Sequence, residues 1–177
     1  MTPQPFRLHV PDADIADLRE RLARTRLPDQ APAGPWAYGT DIAYQRDLIA
    51  YWRDKFDWRA WEARLNAFPQ FVVPLHGIDL HYLHVPGVGP NPKPLLLLHG
   101  WPGSLFEFVD LIPRLTDPAR FGGNAADAFT VIAPSLPGYG LSFQPNQRRF
   151  GISEMADCFV DLMTKVLGIP KFAAQGG

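Results

Sequence analysis

Leu95-Leu96-Leu97-Leu98-His99-Gly100-Trp101-Pro102-Gly103-Ser104 is the stretch whose reading decides the fold. Four consecutive apolar residues after Pro94 predict a strand covered on both faces, as in a parallel sheet, rather than the alternating pattern of a half-exposed one. Gly100 and Gly103 then let the backbone turn closely. Ser104 with Glu107 three residues on has the form of a capping box. This predicts a helix starting there, with its unpaired N–H groups and positive dipole end aimed back at the loop. The loop is thereby a candidate anion cradle. The competing reading is an ordinary strand-to-helix turn whose Gly and Pro serve only geometry, and the surrounding chain has to decide between them.

Downstream, Leu105, Phe108, Val109, Ile112 and Leu115 are expected to face inward from one helix that breaks at Asp117-Pro118. Phe129–Ala133 predicts the next strand, ended by Pro134, and Ser135 to Ser142 a loop at its carboxyl end, the side on which open α/β sheets bind ligands. Met155, Phe159, Leu162, Met163 and Val166 predict one face of a helix closed by Gly168 and Pro170. Phe172 to Gln175 begins another strand, whose small alanines suit close packing in the middle of a sheet.

Upstream, Phe71–Leu75 and Ile78–Val85, separated by His76-Gly77, predict a hairpin supplying the first two strands. Further back, Ile15, Leu18 and Leu22 recur at helical spacing, and Ile42, Ile49, Trp52 and Phe56 mark one side of a second helix. Trp58, Trp61 and Leu65 mark a third behind an Asp57 cap. Residues 28 to 39 are Pro- and Gly-rich loop. The aromatic concentration from Trp36 to Phe71 is expected to be a packing surface rather than a ligand cage. After the hairpin the order strand, helix, strand, helix, strand implies a parallel core crossed over by helices, so the fold class is α/β.

The chain has 177 residues, 46% hydrophobic and 20% charged, enough for a sizeable apolar core. Seventeen basic and eighteen acidic residues, without a block of one sign, give no basis for nucleic-acid binding. No apolar run approaches the roughly 18 residues of a membrane span, and the amino terminus lacks a signal-peptide core. One cysteine, Cys158, excludes an internal disulfide and reads as a buried structural thiol, so a cytoplasmic location is expected. His81 and His84 invite a metal reading, but three apart on a strand they point to opposite faces, with no carboxylate or Cys cluster to complete a site. No metal and no cofactor is therefore expected. No G-x-S-x-G surrounds Ser135 or Ser142, and no P-loop, dinucleotide fingerprint or H-E-x-x-H occurs.

The His99-Gly100-Trp101-Pro102 stretch, Ser135-Leu136-Pro137-Gly138-Tyr139-Gly140 and Gln175-Gly176-Gly177 together resemble the microsomal-type branch of the epoxide hydrolases, within the α/β-hydrolase superfamily. Phe56-Asp57-Trp58-Arg59, Leu65-Asn66 and Phe68-Pro69-Gln70-Phe71 are similar to that branch's amino-terminal region. The resemblance implies two parts: residues 1–69 as a region wrapping the catalytic domain, and 70–177 as the first half of an α/β-hydrolase domain. It implies hydrolysis of an epoxide to a vicinal diol through a covalent alkyl-enzyme ester, with a role in detoxification. In that family an aspartate nucleophile directly follows the two glycines, tyrosines from a cap act as acids, and a histidine with an orienting carboxylate activates water. The resemblance assigns the backbone N–H of Trp101 to the oxyanion hole and the Trp101 indole to the pocket wall. His99, Gly100, Pro102, Gly176 and Gly177 support the motif, His99 by hydrogen bonding rather than as base. The Trp101-Pro102 bond is expected to be cis, as X-Pro bonds in tight turns allow.

On this reading the chain is an amino-terminal fragment whose substrate is a small epoxide. It lacks the nucleophile, cap tyrosines and base, needs the missing carboxyl-terminal half, and is inactive alone; no oligomeric state is implied. Two alternatives stay open. One is an esterase or haloalkane dehalogenase of the same fold, which leaves the tryptophan-rich first seventy residues unexplained. The other is a truncated, non-catalytic binding protein whose last strand has an unpaired edge.

Overall fold

The computed structural model describes residues 2–176, so that Gly177, one of the motif residues, lies outside the described residues. These form two compact units, one of residues 2–7 and 64–176, the other of residues 8–63.

The first unit is built on a six-stranded mixed sheet. Its strands are β1 (Gln4–Pro5), β2 (Gln70–Leu75), β3 (Ile78–Val85), β4 (Lys93–Leu98), β5 (Phe129–Pro134) and β6 (Ala173–Gly176), in the spatial order β1-β2-β3-β5-β4-β6. β2 and β3 are the expected hairpin, Leu75 opposite Ile78. His76 and Gly77 between them have φ of 51° and 81°, the pair of left-handed residues that a two-residue turn matching strand twist requires. The hairpin does not supply the first strand, however, because Gln4–Pro5 pairs antiparallel with β2 at Val72 and Phe71. A two-residue strand has no periodicity to read, and only its partner creates it.

β3 runs antiparallel to β5, whereas β4 is parallel to both β5 and β6. The leucine strand thus lies between two parallel neighbours, and Leu95, Leu96 and Leu97 are buried. That placement explains an unbroken apolar run: each face meets protein, and a fully buried leucine side chain contributes about 1.5–3 kcal/mol. Val73, Leu80, Tyr82, Leu96, Ile132, Phe159, Leu162 and Met163 make the core on which the helix α5 (Ile152–Asp161) packs. α5 continues as one π-turn, Leu162–Val166. β6 is not central but an edge strand of the described sheet, and Ala173 to Gly176 are exposed.

The single helix expected from Ser104 is instead two short turns, a 3₁₀ turn Leu105–Phe108 and α4 (Ile112–Thr116). Pro113 accounts for the break: it has no N–H to give the Val109 carbonyl, so the ladder stops there, and a proline is tolerated in the first turn of α4, where the ladder restarts. Leu105, Phe108, Val109 and Ile112 are nevertheless buried as their spacing requires.

The second unit holds α1 (Asp12–Ala23) and α2 (Ile42–Asp54), with α3 (Trp58–Leu65) beginning in it. Asp57 caps α3 by accepting from Ala60 N–H at 3.2 Å. Gln30 ties the loop before α2, donating to Gly34 O at 3.1 Å and accepting from Ile42 N–H at 3.0 Å. Arg59 pairs with Asp12 and Glu62, and Glu62 also accepts from Val10 N–H at 2.6 Å. That backbone hydrogen bond is the main reason the Glu62 carboxyl is held below its ordinary range. The expected aromatic packing surface is realised only in part. Phe56 stacks on Trp61 with ring centres 6.3 Å apart, but Trp36, Tyr38, Tyr44, Tyr51 and Trp52 are exposed. Trp52 therefore does not share a buried face with Ile49. Spacing identifies which residues lie on one side of a helix, not whether that side is covered.

Candidate functional site

Parallel strands end at one edge of a sheet, and the loops after β4 and β5 meet there. His99, directly after β4, is buried. Its Nε2 accepts the Leu136 N–H at 3.1 Å and its Nδ1–H donates to Gly100 O at 3.1 Å. The two contacts define the tautomer, because an amide N–H can only donate and a carbonyl can only accept. Both His99 ring nitrogens therefore have hydrogen-bond partners, and its ring meets Tyr139 edge-on with centres 6.3 Å apart.

The Gly100 carbonyl belongs to the same peptide as the Trp101 N–H. That N–H makes no hydrogen bond among the described residues. Trp101-Pro102 is cis, and the Trp101 indole is 78% exposed. Ser104 and Glu107 form the capping box, with Ser104 Oγ accepting from Phe106 N–H and Glu107 Oε1 from Ser104 N–H at 3.0 Å. The helix they cap is only four residues long, so the expected dipole contribution to an anion cradle falls away. Gly103 is required by crowding, since a Cβ there would lie 3.0 Å from Gly100 O and closer still to the Glu107 carboxylate.

Gly176 stands opposite Leu98 in the β4–β6 register, so β6 ends beside the start of the His99 loop. A Cβ on Gly176 would come within 3.1 Å of Leu98 Cβ and 3.3 Å of its carbonyl oxygen, a close approach that a larger residue could make only with a shift of a few tenths of an ångström.

Beneath the Ser135–Ser142 loop runs a buried polar network. Gln70 donates through Nε2 to Leu65 O at 3.2 Å and Asn66 Oδ1 at 3.0 Å, leaving its Oε1 to accept from His81 Nε2–H at 3.0 Å. His81 Nδ1 therefore accepts from Ser135 Oγ–H at 3.1 Å. The His81 backbone N–H donates to Ser142 Oγ at 3.0 Å, and that hydroxyl donates to Ser135 O at 2.8 Å. Ser135 N–H closes the circuit on His81 O at 2.9 Å. His81 is fully buried beneath the Phe6 ring, and burial pushes its imidazole down to about 4, so it is neutral here.

His81, Ser135 and Ser142 have their place in this network, which neither a metal reading of His81 nor a nucleophile reading of the serines anticipates. The available signal was a histidine inside the apolar β3 and a glutamine opening β2; Ser135 directly after β5 and Ser142 in a 3₁₀ turn carry no such pattern. Among the described residues no group of three or more His, Cys, Asp or Glu is placed to hold a metal. Cys158 is buried, and burial lifts its thiol to about 11, away from the thiolate a nucleophile needs. Among the described residues no helix is long and apolar enough to cross a membrane.

An antiparallel hairpin leading into the parallel strands β5, β4 and β6, with the loops after β4 and β5 joined at their carboxyl edge, is the arrangement of an α/β-hydrolase fold. Residues 93–177 match the family model for the alpha/beta hydrolase fold, and residues 3–108 match that for the epoxide hydrolase N terminus. The chain belongs to the epoxide hydrolase N-terminus family. It is 41% identical over 178 residues to Epoxide hydrolase 1 of Oryctolagus cuniculus, an alignment covering 98% of this chain and 39% of the rabbit protein. The Aspergillus niger epoxide hydrolase structure superposes with a TM-score of 0.83 at 31% identity, over 100% of this chain and 46% of that one. The juvenile hormone epoxide hydrolase of Bombyx mori gives 0.84 at 29% identity, over 99% and 46%. The chain thus spans about two fifths of the length of the curated relatives it matches.

Proposed function

We propose that this chain supplies the amino-terminal part of an enzyme that hydrolyses epoxides to vicinal diols, and that the Trp101 N–H is one arm of its oxyanion hole. The single observation that carries the reading is the Gly100–Trp101 peptide, pinned at its carbonyl by His99, with its N–H unpaired among the described residues at the carboxyl edge of the sheet. Family membership supplies the reaction: a carboxylate opens the epoxide by displacing the ring oxygen, which takes up a proton, and an ester links enzyme and substrate. Water then adds to the ester carbonyl carbon, the carbonyl π-pair moves onto oxygen, and collapse of that oxyanion expels the diol and restores the carboxylate. A preorganised N–H aimed at that oxygen stabilises the developing charge, typically by about 2.7–4 kcal/mol. The Glu107 carboxylate at that loop is engaged as the cap of Ser104 N–H, so on this reading the attacking carboxylate comes from the portion that the longer relatives possess.

The test extends this chain to its relatives' length with the matching carboxyl-terminal portion of the rabbit protein, and follows styrene oxide hydrolysis beside the rabbit parent. Turnover above the buffer rate is expected from the extended protein and none from the 177-residue chain. An inactive extended protein beside an active parent would refute the reading, as would turnover by the chain alone.

A further inference from the structure

We infer that His81 and Ser142 are positioning residues for the Trp101 N–H, acting through two peptide planes in series. The inference rests on the proposed function and adds to it the part of the core that aims the oxyanion donor.

The first plane is the Ser135–Leu136 peptide. Its carbonyl is held by the Ser142 hydroxyl at 2.8 Å, and that hydroxyl is itself set by the His81 backbone N–H at 3.0 Å. The His81 ring and carbonyl grip Ser135 again, at its hydroxyl and its N–H. A peptide is planar, so a fixed carbonyl fixes the direction of the N–H at its other end. That N–H, of Leu136, points at His99 Nε2. The imidazole passes the constraint on, because its opposite nitrogen donates to Gly100 O. Gly100–Trp101 is the second plane; it is trans, so its N–H points away from the anchored carbonyl. The relay ends on the N–H proposed above as one arm of the oxyanion hole.

Packing alone does not call for these side chains. Apolar residues at 81, 135 and 142 would bury as much surface but would leave the His81 N–H, the Ser135 carbonyl and Gln70 Oε1 without these side-chain partners. The network therefore also contributes to stability, and only an effect confined to adduct hydrolysis marks a positioning role. Apolar contacts have no direction, whereas hydrogen bonds do, and direction is what an oxyanion donor needs.

The experiment uses the extended protein, with Ser142→Ala, Ser142→Thr and His81→Phe. Rapid quenching and intact-mass measurement with styrene oxide follow the covalent adduct. Adduct formation creates no oxyanion on the ester carbonyl, while its hydrolysis does. Ser142→Ala and His81→Phe are expected to form adduct within about twofold of the parent rate and to hydrolyse it about tenfold more slowly. Steady-state kcat and KM then fall together with kcat/KM kept, and Ser142→Thr, retaining the hydroxyl, restores hydrolysis. Equal slowing of both half-reactions, no slowing of either, or failure of threonine to restore would overturn the inference. Should His81→Phe not fold, the serine pair decides alone. An unsubstituted extended protein without turnover brings down the proposed function first and the inference with it; an active one with unsplit half-reactions brings down the inference only.

Discussion

His81 takes its protonation state from where it lies: no part of it reaches solvent, and both ring nitrogens have partners. Burial disfavours the imidazolium, lowering the group from an ordinary 6.5 to about 4, and His84 is lowered for the same reason. The unfolded chain therefore binds a proton in a pH range where the folded one does not. Stability from His81 is complete above about pH 6.5 and is lost as pH falls toward 4. Between pH 7 and pH 5 this single residue is expected to remove roughly 2 kcal/mol. Urea denaturation at both pH values checks it: the difference should shrink by about that amount in His81→Phe, and an unchanged difference would show that His81 does not carry it. Residue roles were legible in the sequence only where a motif named them. The motif singles out His99, whose two ring nitrogens both have hydrogen-bond partners. His81 was not legible, because its partners lie 11, 54 and 61 residues away. Asn66, Gln70 and Ser135, three members of the network, lie in stretches that carry the family likeness, whereas His81 and Ser142 do not.

At the scale of elements, strands were read more faithfully than helices. β4 and the β2–β3 hairpin carry their causes locally, in an apolar run and in a two-residue turn. The helix after Ser104 was misjudged because inward spacing persists through Pro113 while the hydrogen-bond ladder does not. The exposed aromatics of α2 were misjudged because periodicity says nothing about coverage. The hairpin makes the cleanest test of an element. Gly77 has φ of 81°, and a Cβ there would meet nothing within 4 Å, so Gly77→Ala isolates backbone strain from steric clash. Left-handed geometry costs a non-glycine residue roughly 1–2 kcal/mol, and a shift of that size lowers Tm by several degrees in a domain of this size. The turn cannot relax freely, since His76 Nε2 lies 3.0 Å from Asp161 Oδ2 on α5. Calorimetry should record the fall; an unchanged Tm would mean that the turn adjusts to another type and that this contact does not hold it.

At the scale of the whole molecule, the order β1-β2-β3-β5-β4-β6 leaves the sheet with two unlike edges. The β1 edge is two residues long and contains Pro5, which has no N–H to offer, and both features discourage pairing with another chain. The β6 edge is four exposed residues, Ala-Ala-Gln-Gly, with neither charge nor proline. An uncharged edge of this kind is a template for strand addition, and no charged side chain on β6 opposes it. The 177-residue chain is therefore expected to self-associate with rising concentration, and Ala174→Lys, which places a desolvation-averse charge on that edge, to shift it toward monomer. Sedimentation velocity over a concentration series distinguishes the outcomes. A concentration-independent monomer before substitution would show that β6 recruits nothing. Association unaffected by Ala174→Lys would move its origin elsewhere, with the exposed Tyr44, Leu48 and Tyr51 of α2 the next surface to substitute.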